Sequence, residues 1–328
     1  MRKNSVFFND PNLLVACCFL ASFIGSFANA GEIQDFDPGL APFNVVIEKH
    51  SLRLAVNMKT VLPGKTLSIA VKQKNAGEFS LYQGPNKLTL NATGSHRWIA
   101  PKKPGYYPLT VIRNRDEAQL TLNIFVLHPA SQLINGKLNT YRIGQYPSAL
   151  NGLEAYKAPK GYIEVTRDEE NILVSPHFKL GQFLCKQDGG YPKYLVLQPE
   201  LLDKLELLLE HVNTKGIRTD GFTVMSGYRT PFYNKAIGNV PNSSHIYGRA
   251  ADIFVDVKPA DDYLDDINGD GVANIKDAEA LYDMADQLVN HNRHPQLMGG
   301  VGLYDKTPAH GPFIHVDVRG MPARWGHK

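Results

Sequence analysis

The run Ser243-Ser244-His245-Ile246-Tyr247-Gly248-Arg249-Ala250-Ala251-Asp252 organises the reading of this chain. His245 offers an imidazole nitrogen and Asp252 a carboxylate. Gly248 permits a turn between them, and Ala250 keeps the backbone side small. On a strand, Ala250 and Asp252 share one face. Near the C-terminus, Phe313-Ile314-His315-Val316-Asp317 puts His315 and Asp317 on one face in the same way. His, Asp and His suit a catalytic Zn²⁺ with one position left for water, whose pKa the metal lowers to about 7. Each short pair alone is also the pattern of an ordinary hydrogen-bonded surface pair.

Working outward, residues 161–328 read as mixed α and β. Leu201, Leu202, Leu205, Leu208, Leu209 and Val212 follow helical spacing, and Gly216 ends that helix. Phe222–Met225, Ala250–Val257, Val301–Tyr304 and Phe313–Val318 read as strands, and Ala278–Asn290 as a second helix. The expected class is an α+β domain: a small antiparallel sheet flanked by helices. Residues 31–128 read as an all-β domain. Phe43–Ile47, Leu67–Val71, Leu88–Leu90, Tyr107–Ile112 and Leu120–Val126 are separated by Pro63-Gly64, Gly84-Pro85-Asn86 and Pro104-Gly105. That spacing predicts a sandwich. Trp98-Ile99-Ala100-Pro101 with Pro104-Gly105-Tyr106-Tyr107 loosely resembles the end of a bacterial immunoglobulin-like module. It holds no catalytic constellation and reads as a spacer or a module for a wall or protein partner. Residues 129–160, with recurrent Gly and Pro, read as a linker.

The chain has 328 residues, 43% hydrophobic and 20% charged, with a formal net charge of +3. This is globular usage and gives little support to nucleic-acid binding. A mean hydropathy of −0.26 excludes a polytopic membrane protein. Met1-Arg2-Lys3, the apolar run Leu13–Phe27 and Ala28-Asn29-Ala30 form the three parts of a secretory signal, residues 1–30. The apolar run is too short to span a bilayer comfortably. The expectation is periplasmic or secreted localisation, with no stable membrane span after cleavage; a retained membrane anchor is the alternative. Cys17 and Cys18 lie in that signal, so the mature chain keeps Cys185, read as a buried small hydrophobe.

The metal pattern resembles the zinc D-alanyl-D-alanine carboxypeptidase family of peptidoglycan peptidases. Four ordered elements carry the likeness: Ser226-Gly227-Tyr228-Arg229-Thr230; His245 to Asp252; Gly300-Val301-Gly302-Leu303-Tyr304 with Phe313–Asp317; and Arg324-Trp325. The resemblance implies zinc ligands His245, Asp252 and His315. It implies that Arg229 lines the substrate cleft, where it can clamp a carboxylate or stabilise an oxyanion; a structural salt bridge is its plain alternative. Relatives often place Glu or His shortly before the last ligand, whereas this chain has Pro312 and Phe313. Asp317 is then the first candidate base, a residue orienting a ligand being its other reading, and His310 is the second candidate.

Residues 266–277 form a separate loop. Asp266, Asn268, Asp270, Asn274 and Asp277 put oxygens at positions 1, 3, 5, 9 and 12, with Gly271 at 6 and the carbonyl of Val272 at 7. The loop resembles a dockerin-type calcium loop, which implies structural Ca²⁺; an acidic solvated turn is the alternative.

The reading is an exported zinc metallopeptidase acting on peptidoglycan stem peptides or cross-links, with D,D-carboxypeptidase and endopeptidase both open. The rivals are a wall-binding protein that keeps the peptidase fold without catalysis, and a zinc peptidase acting on ordinary proteins.

Overall fold

The computed structural model describes residues 35–72, 78–290 and 294–326. The expected signal, with Cys17 and Cys18, lies outside the described residues. No helix among the described residues is long and apolar enough to cross a membrane. The structure is mostly β, in several small sheets with no closed barrel, and has few helices.

Strands β1 (Val45–Ile47), β2 (His50–Ser51), β3 (Val56–Val61), β4 (Thr66–Val71), β5 (Phe79–Gln83), β6 (Asn86–Leu88), β7 (Ser95–Ile99), β8 (Gly105–Arg113) and β9 (Ala118–Val126) come first. One sheet runs β2-β1-β4-β7; the other runs β3-β9-β8-β5-β6, with β3 parallel to β9. Alternate residues of both sheets meet in one buried cluster that includes Ile69, Trp98, Leu81, Leu109, Leu120 and Ile124. Strand β3 carries Asn57, Lys59 and Thr60, so its sequence has no clean alternation. The buried Asn57 is held by donation from Nδ2 to the Leu54 carbonyl at 2.6 Å.

The stretch expected as a linker is folded. It carries β10 (His128–Pro129), β11 (Lys137–Leu138) and β12 (Tyr141–Arg142), and it buries Leu138, Tyr141, Ile143 and Tyr156. Strands of two residues have no readable period, which leaves only their glycines and prolines legible. Strand β10 pairs with β13 (Gly161–Val165), which pairs with β14 (Lys193–Leu195). Residues Phe36–Lys328 cluster as one compact unit.

The sheet that carries the site contains β15 (Thr223–Ser226), β16 (Ala250–Phe254), β17 (Gly300–Tyr304), β18 (Phe313–Asp317) and β19 (Ala323–Trp325). Its order is β15-β16-β18-β17-β19, antiparallel except for β17 with β19. Helices α1 (Pro199–Thr214), α2 (Pro231–Ala236) and α3 (Ile275–Asn290) come from the same part of the chain. Ala251, Ile253, Val301, Leu303, Ile314 and Val316 share a core with the apolar faces of α1 and α3. The six apolar residues of α1 read from sequence are all buried, each contributing about 1.5–3 kcal/mol if a bulky aliphatic side chain is fully withdrawn from water. Pro199 opens the helix, and Gly216 closes it at φ +87°. Lys204 is a buried exception on α1. Its Nζ donates to the Asp317 carbonyl at 2.7 Å, and burial pushes its ammonium down to about 8. Cys185 is free and buried, as its apolar neighbours suggested.

Candidate metal centre

The register of the five strands lines up Ser226, Asp252, His315, Gly302 and Trp325 as successive cross-strand partners. These residues alternate with those of the helix-packed core face, so the row lies on the opposite side of the sheet. His245 arrives from outside the sheet, on a 3₁₀ turn over Ser244–Tyr247. Gly248 closes that turn at φ +64°, and a Cβ there would lie 2.2 Å from the Val196 carbonyl oxygen. Both the backbone angle and the space demand glycine. Gly248→Ala should therefore destabilise the fold by roughly 2–4 kcal/mol, from left-handed strain plus backbone displacement. Denaturant unfolding checks this; a loss below about 1 kcal/mol would mean the turn relaxes freely.

Among the described residues, His245, Asp252 and His315 form one group whose ligand atoms lie within 4.8 Å of one another. All three are buried. His245 Nε2 is 3.1 Å from Asp252 Oδ1 and 3.2 Å from His315 Nδ1, and His315 Nδ1 is 2.9 Å from Asp252 Oδ1. The outer nitrogens are engaged elsewhere. His245 Nδ1 donates to the Gly227 carbonyl at 2.7 Å, and His315 Nε2 donates to Asp317 Oδ2 at 3.0 Å. The inner atoms of two neutral imidazoles and a carboxylate are then three acceptors aimed at one point. They repel one another unless a proton or a metal cation lies between them, and the donor set fits a metal ion. Two imidazoles and a carboxylate also match the ligand types zinc takes.

Electrostatics follow from burial and pairing. Burial pushes the His245 imidazole below its usual value despite the Asp252 carboxylate. Burial would raise Asp252, but the His245 and His315 rings hold its carboxyl well below the usual range. For His315, burial acts downward, and hydrogen bonds to Asp252 and Asp317 outweigh it, leaving the imidazole raised.

The other expected residues fall in different places. Arg229 pairs through Nη2 with Asp252 Oδ2, and its Nε donates to Ser226 Oγ at 2.8 Å. That is the salt-bridge alternative, made with one of the three candidate ligands. Asp317 does not fit the role of a base. It is fully buried on the far side of the His315 ring, and its oxygens accept from Gly300 N at 2.8 Å, Arg319 N at 3.0 Å, His315 Nε2 and the Arg319 guanidinium. Burial would raise its carboxyl, but His315 and Arg319 hold it well below the usual range. Its geometry is that of the residue that orients a ligand ring. His310 lies in the β17–β18 connection. Its Nδ1 interacts with the Gly311 carbonyl at 2.8 Å, and its ring packs edge-on against Phe313, centroids 4.9 Å apart. It is not brought into the ligand group.

Sequence reasoning left out Arg319 and the reason for the glycines of β17. The Trp325 ring packs against His315, centroids 5.1 Å apart, and its Nε1 donates to the Tyr304 hydroxyl at 3.0 Å. A Cβ on Gly302 would lie 2.2 Å from the indole, and one on Gly300 2.6 Å from Asp317 Oδ2. The available signal was the alternation Gly300-Val301-Gly302, apolar to one face and empty on the other.

The loop 266–277 is held by its own backbone. Asp266 accepts from Gly269 N at 2.8 Å and Gly271 N at 2.7 Å, and Asp270 accepts from Val272 N at 3.0 Å. Asn274 Oδ1 accepts from Lys276 N at 2.8 Å, while Asp277 Oδ2 accepts from Asn274 N at 2.8 Å. Asn274 thus caps the N-terminus of α3 through Lys276 N, and Asp277 in the first turn reaches back to the Asn274 N–H. Positions 9 and 12 of the expected calcium pattern thus also serve as a helix cap. Asp266, Asp270 and Asp277 do not converge as the His245 group does.

A family model for Peptidase M15 matches residues 176–267. The match covers less than a third of the chain and supports a metallopeptidase. It contains His245 and Asp252; His315 lies beyond it and reaches the group through the register of β16 with β18. No curated protein matches the chain.

Proposed function

We propose that this protein is an exported zinc peptidase that hydrolyses peptide bonds of peptidoglycan stem peptides or cross-links. The observation that carries the reading is the convergence of three buried acceptors, His245 Nε2, Asp252 Oδ1 and His315 Nδ1, backed by the family match. Those three residues would hold the metal. When bound, zinc supplies Lewis-acid polarisation of a carbonyl and activation of water near neutral pH. The chain's own groups do the rest. Gly227 and Asp317 fix the two imidazole tautomers, keeping a lone pair of each ring turned inward. Arg229 neutralises the outer oxygen of Asp252. Its Nη1 has no hydrogen-bond partner among the described residues, which supports a role in receiving a substrate carboxylate or oxyanion. With Asp317 fully engaged, His310 is the group proposed to carry protons. Its Nε2 has no partner among the described residues, and it packs on Phe313, two residues before His315 on the same strand.

The pattern of residues 1–30 supports export to the periplasm or beyond. The two-sheet packing of β1–β9 supports an immunoglobulin-like module for a wall or protein partner. The test of function is digestion of purified sacculi by the zinc-loaded chain, with the fragments weighed. Release of D-Ala or of split cross-peptides is the expected result. One bound zinc with no fragments would favour a wall-binding protein, and casein cleavage with intact sacculi would favour a general peptidase.

The loop 266–277 is proposed to take structural Ca²⁺, supported by its oxygen spacing and by Gly271 at φ +87°. Adding Ca²⁺ to chelator-treated protein should raise the melting temperature, since an ion that binds the folded loop stabilises it by linkage. Asp270→Ala should abolish the rise. Superimposable melting curves with and without Ca²⁺ would leave the loop as a hydrogen-bonded turn.

A further inference from the structure

We propose that Tyr146 is a positioning residue of the metal centre, its hydroxyl tying together the two backbone segments that aim His245. The inference rests on the zinc reading and goes beyond it. His245 is oriented by a neighbouring segment at two points. Its Nδ1 donates to the Gly227 carbonyl at 2.7 Å, and its own carbonyl accepts from Arg229 N at 3.3 Å. Residues 227–229 and the 244–247 turn must therefore keep a fixed separation for Nε2 to reach Asp252 and His315.

Tyr146 bridges them. Its hydroxyl donates to the Ile246 carbonyl at 2.9 Å, one residue past His245. It also lies 3.0 Å from the hydroxyl of Tyr228, the residue between Gly227 and Arg229. The Ile246 carbonyl can only accept, so Tyr146 spends its one proton there and receives the proton of Tyr228. The rings support the bridge. Tyr146 packs on Tyr247, centroids 5.7 Å apart, and Tyr156 closes on Tyr247 edge-on at 5.6 Å. Burial holds the Tyr146 and Tyr228 phenols well above their usual range, so the bridge stays protonated.

The segment bearing Tyr146 is anchored independently. Phe232 N donates to the Ile143 carbonyl at 3.0 Å, and a Cβ on Gly144 would lie 2.6 Å from Phe232 N. Tyr146 thus belongs to the stretch that reads as a linker and lies outside the residues matched by the family model. Its effect should reach the metal through backbone placement, not through contact.

The test is zinc affinity of the full chain, measured by competition with a chromophoric chelator well below the melting temperature. At that temperature affinity reports the folded site, and a loss of global stability does not move it. Tyr146→Phe should still bind one zinc, about tenfold more weakly than the parent, with a shifted absorption spectrum when cobalt replaces zinc. Tyr106→Phe is the control. It also loses one hydroxyl hydrogen bond, to Asn123 Oδ1 at 2.7 Å, but in the N-terminal sheets. Its affinity should stay within about twofold of the parent. Should Tyr146→Phe not fold, Tyr228→Phe breaks the same bridge from its other end. A bridge variant that matches the parent, or a control that weakens binding equally, overturns the proposal. A parent chain that takes up no zinc would instead remove the reading beneath it.

Discussion

His315→Ala should leave the chain without a stable metal and reduce peptide hydrolysis by at least about a thousandfold, several kcal/mol of transition-state stabilisation at about 1.4 kcal/mol per factor of ten. The reason is positional. His315 is the cross-strand partner of Asp252 at the middle of the five-stranded sheet, and its Nδ1 lies within 3.2 Å of both other donor atoms. No other His, Cys, Asp or Glu among the described residues joins that group, so nothing takes over. Zinc content after dialysis, read beside hydrolysis rates, checks this. Parental zinc content in the variant would show that the metal sits elsewhere.

Asp317→Asn should weaken zinc binding by about 10–100-fold while leaving all three ligands in the chain. A carboxylate is needed because every hydrogen bond at this position is accepted: Oδ1 serves Gly300 N and Arg319 N, and Oδ2 serves His315 Nε2 and Arg319 Nε. An amide turns one of these acceptors into a donor, whichever way it faces. If His315 loses its acceptor, its proton can move to Nδ1, the atom that should face the metal. Stability should also fall by on the order of 3 kcal/mol, because the Arg319 guanidinium loses its charge partner. The pH dependence follows from the depressed Asp317 carboxyl. The native state binds fewer protons than the unfolded chain once pH drops toward the unfolded carboxylate value. The contribution is therefore complete above about pH 4 and is lost as pH falls below it. In Asp317→Asn this acid-side slope should flatten. Chelator competition and urea unfolding at several pH values measure both effects. Unchanged zinc affinity would show that His315 holds its tautomer unaided.

What could be read from the chain depended on how local the cause was. His245, Gly248 and Asp252 were legible because one turn and one strand bring them together within eight residues. His315 and Asp317 were legible as a same-face pair, but their roles were not. The groups that saturate Asp317 come from Gly300 on β17, which only strand pairing brings near, and from Arg319, two residues on, whose turn back to the carboxylate leaves no pattern in the sequence. The loop at 266–277 shows the opposite difficulty. Its oxygens satisfy two patterns, since Asn274 and Asp277 also cap α3. Strand β3 was hidden by its polar residues, and the 129–160 stretch by strands too short to show a period. Tyr146 could not be linked to His245, since the bond to Ile246 spans a hundred residues.

The most direct measurement is an anomalous difference map collected at the zinc edge from crystals of the zinc-loaded chain. A single strong peak about 2.0–2.2 Å from His245 Nε2, Asp252 Oδ1 and His315 Nδ1 is the expected result. A map with no peak among those three atoms, or with the zinc held by other residues, would contradict the account.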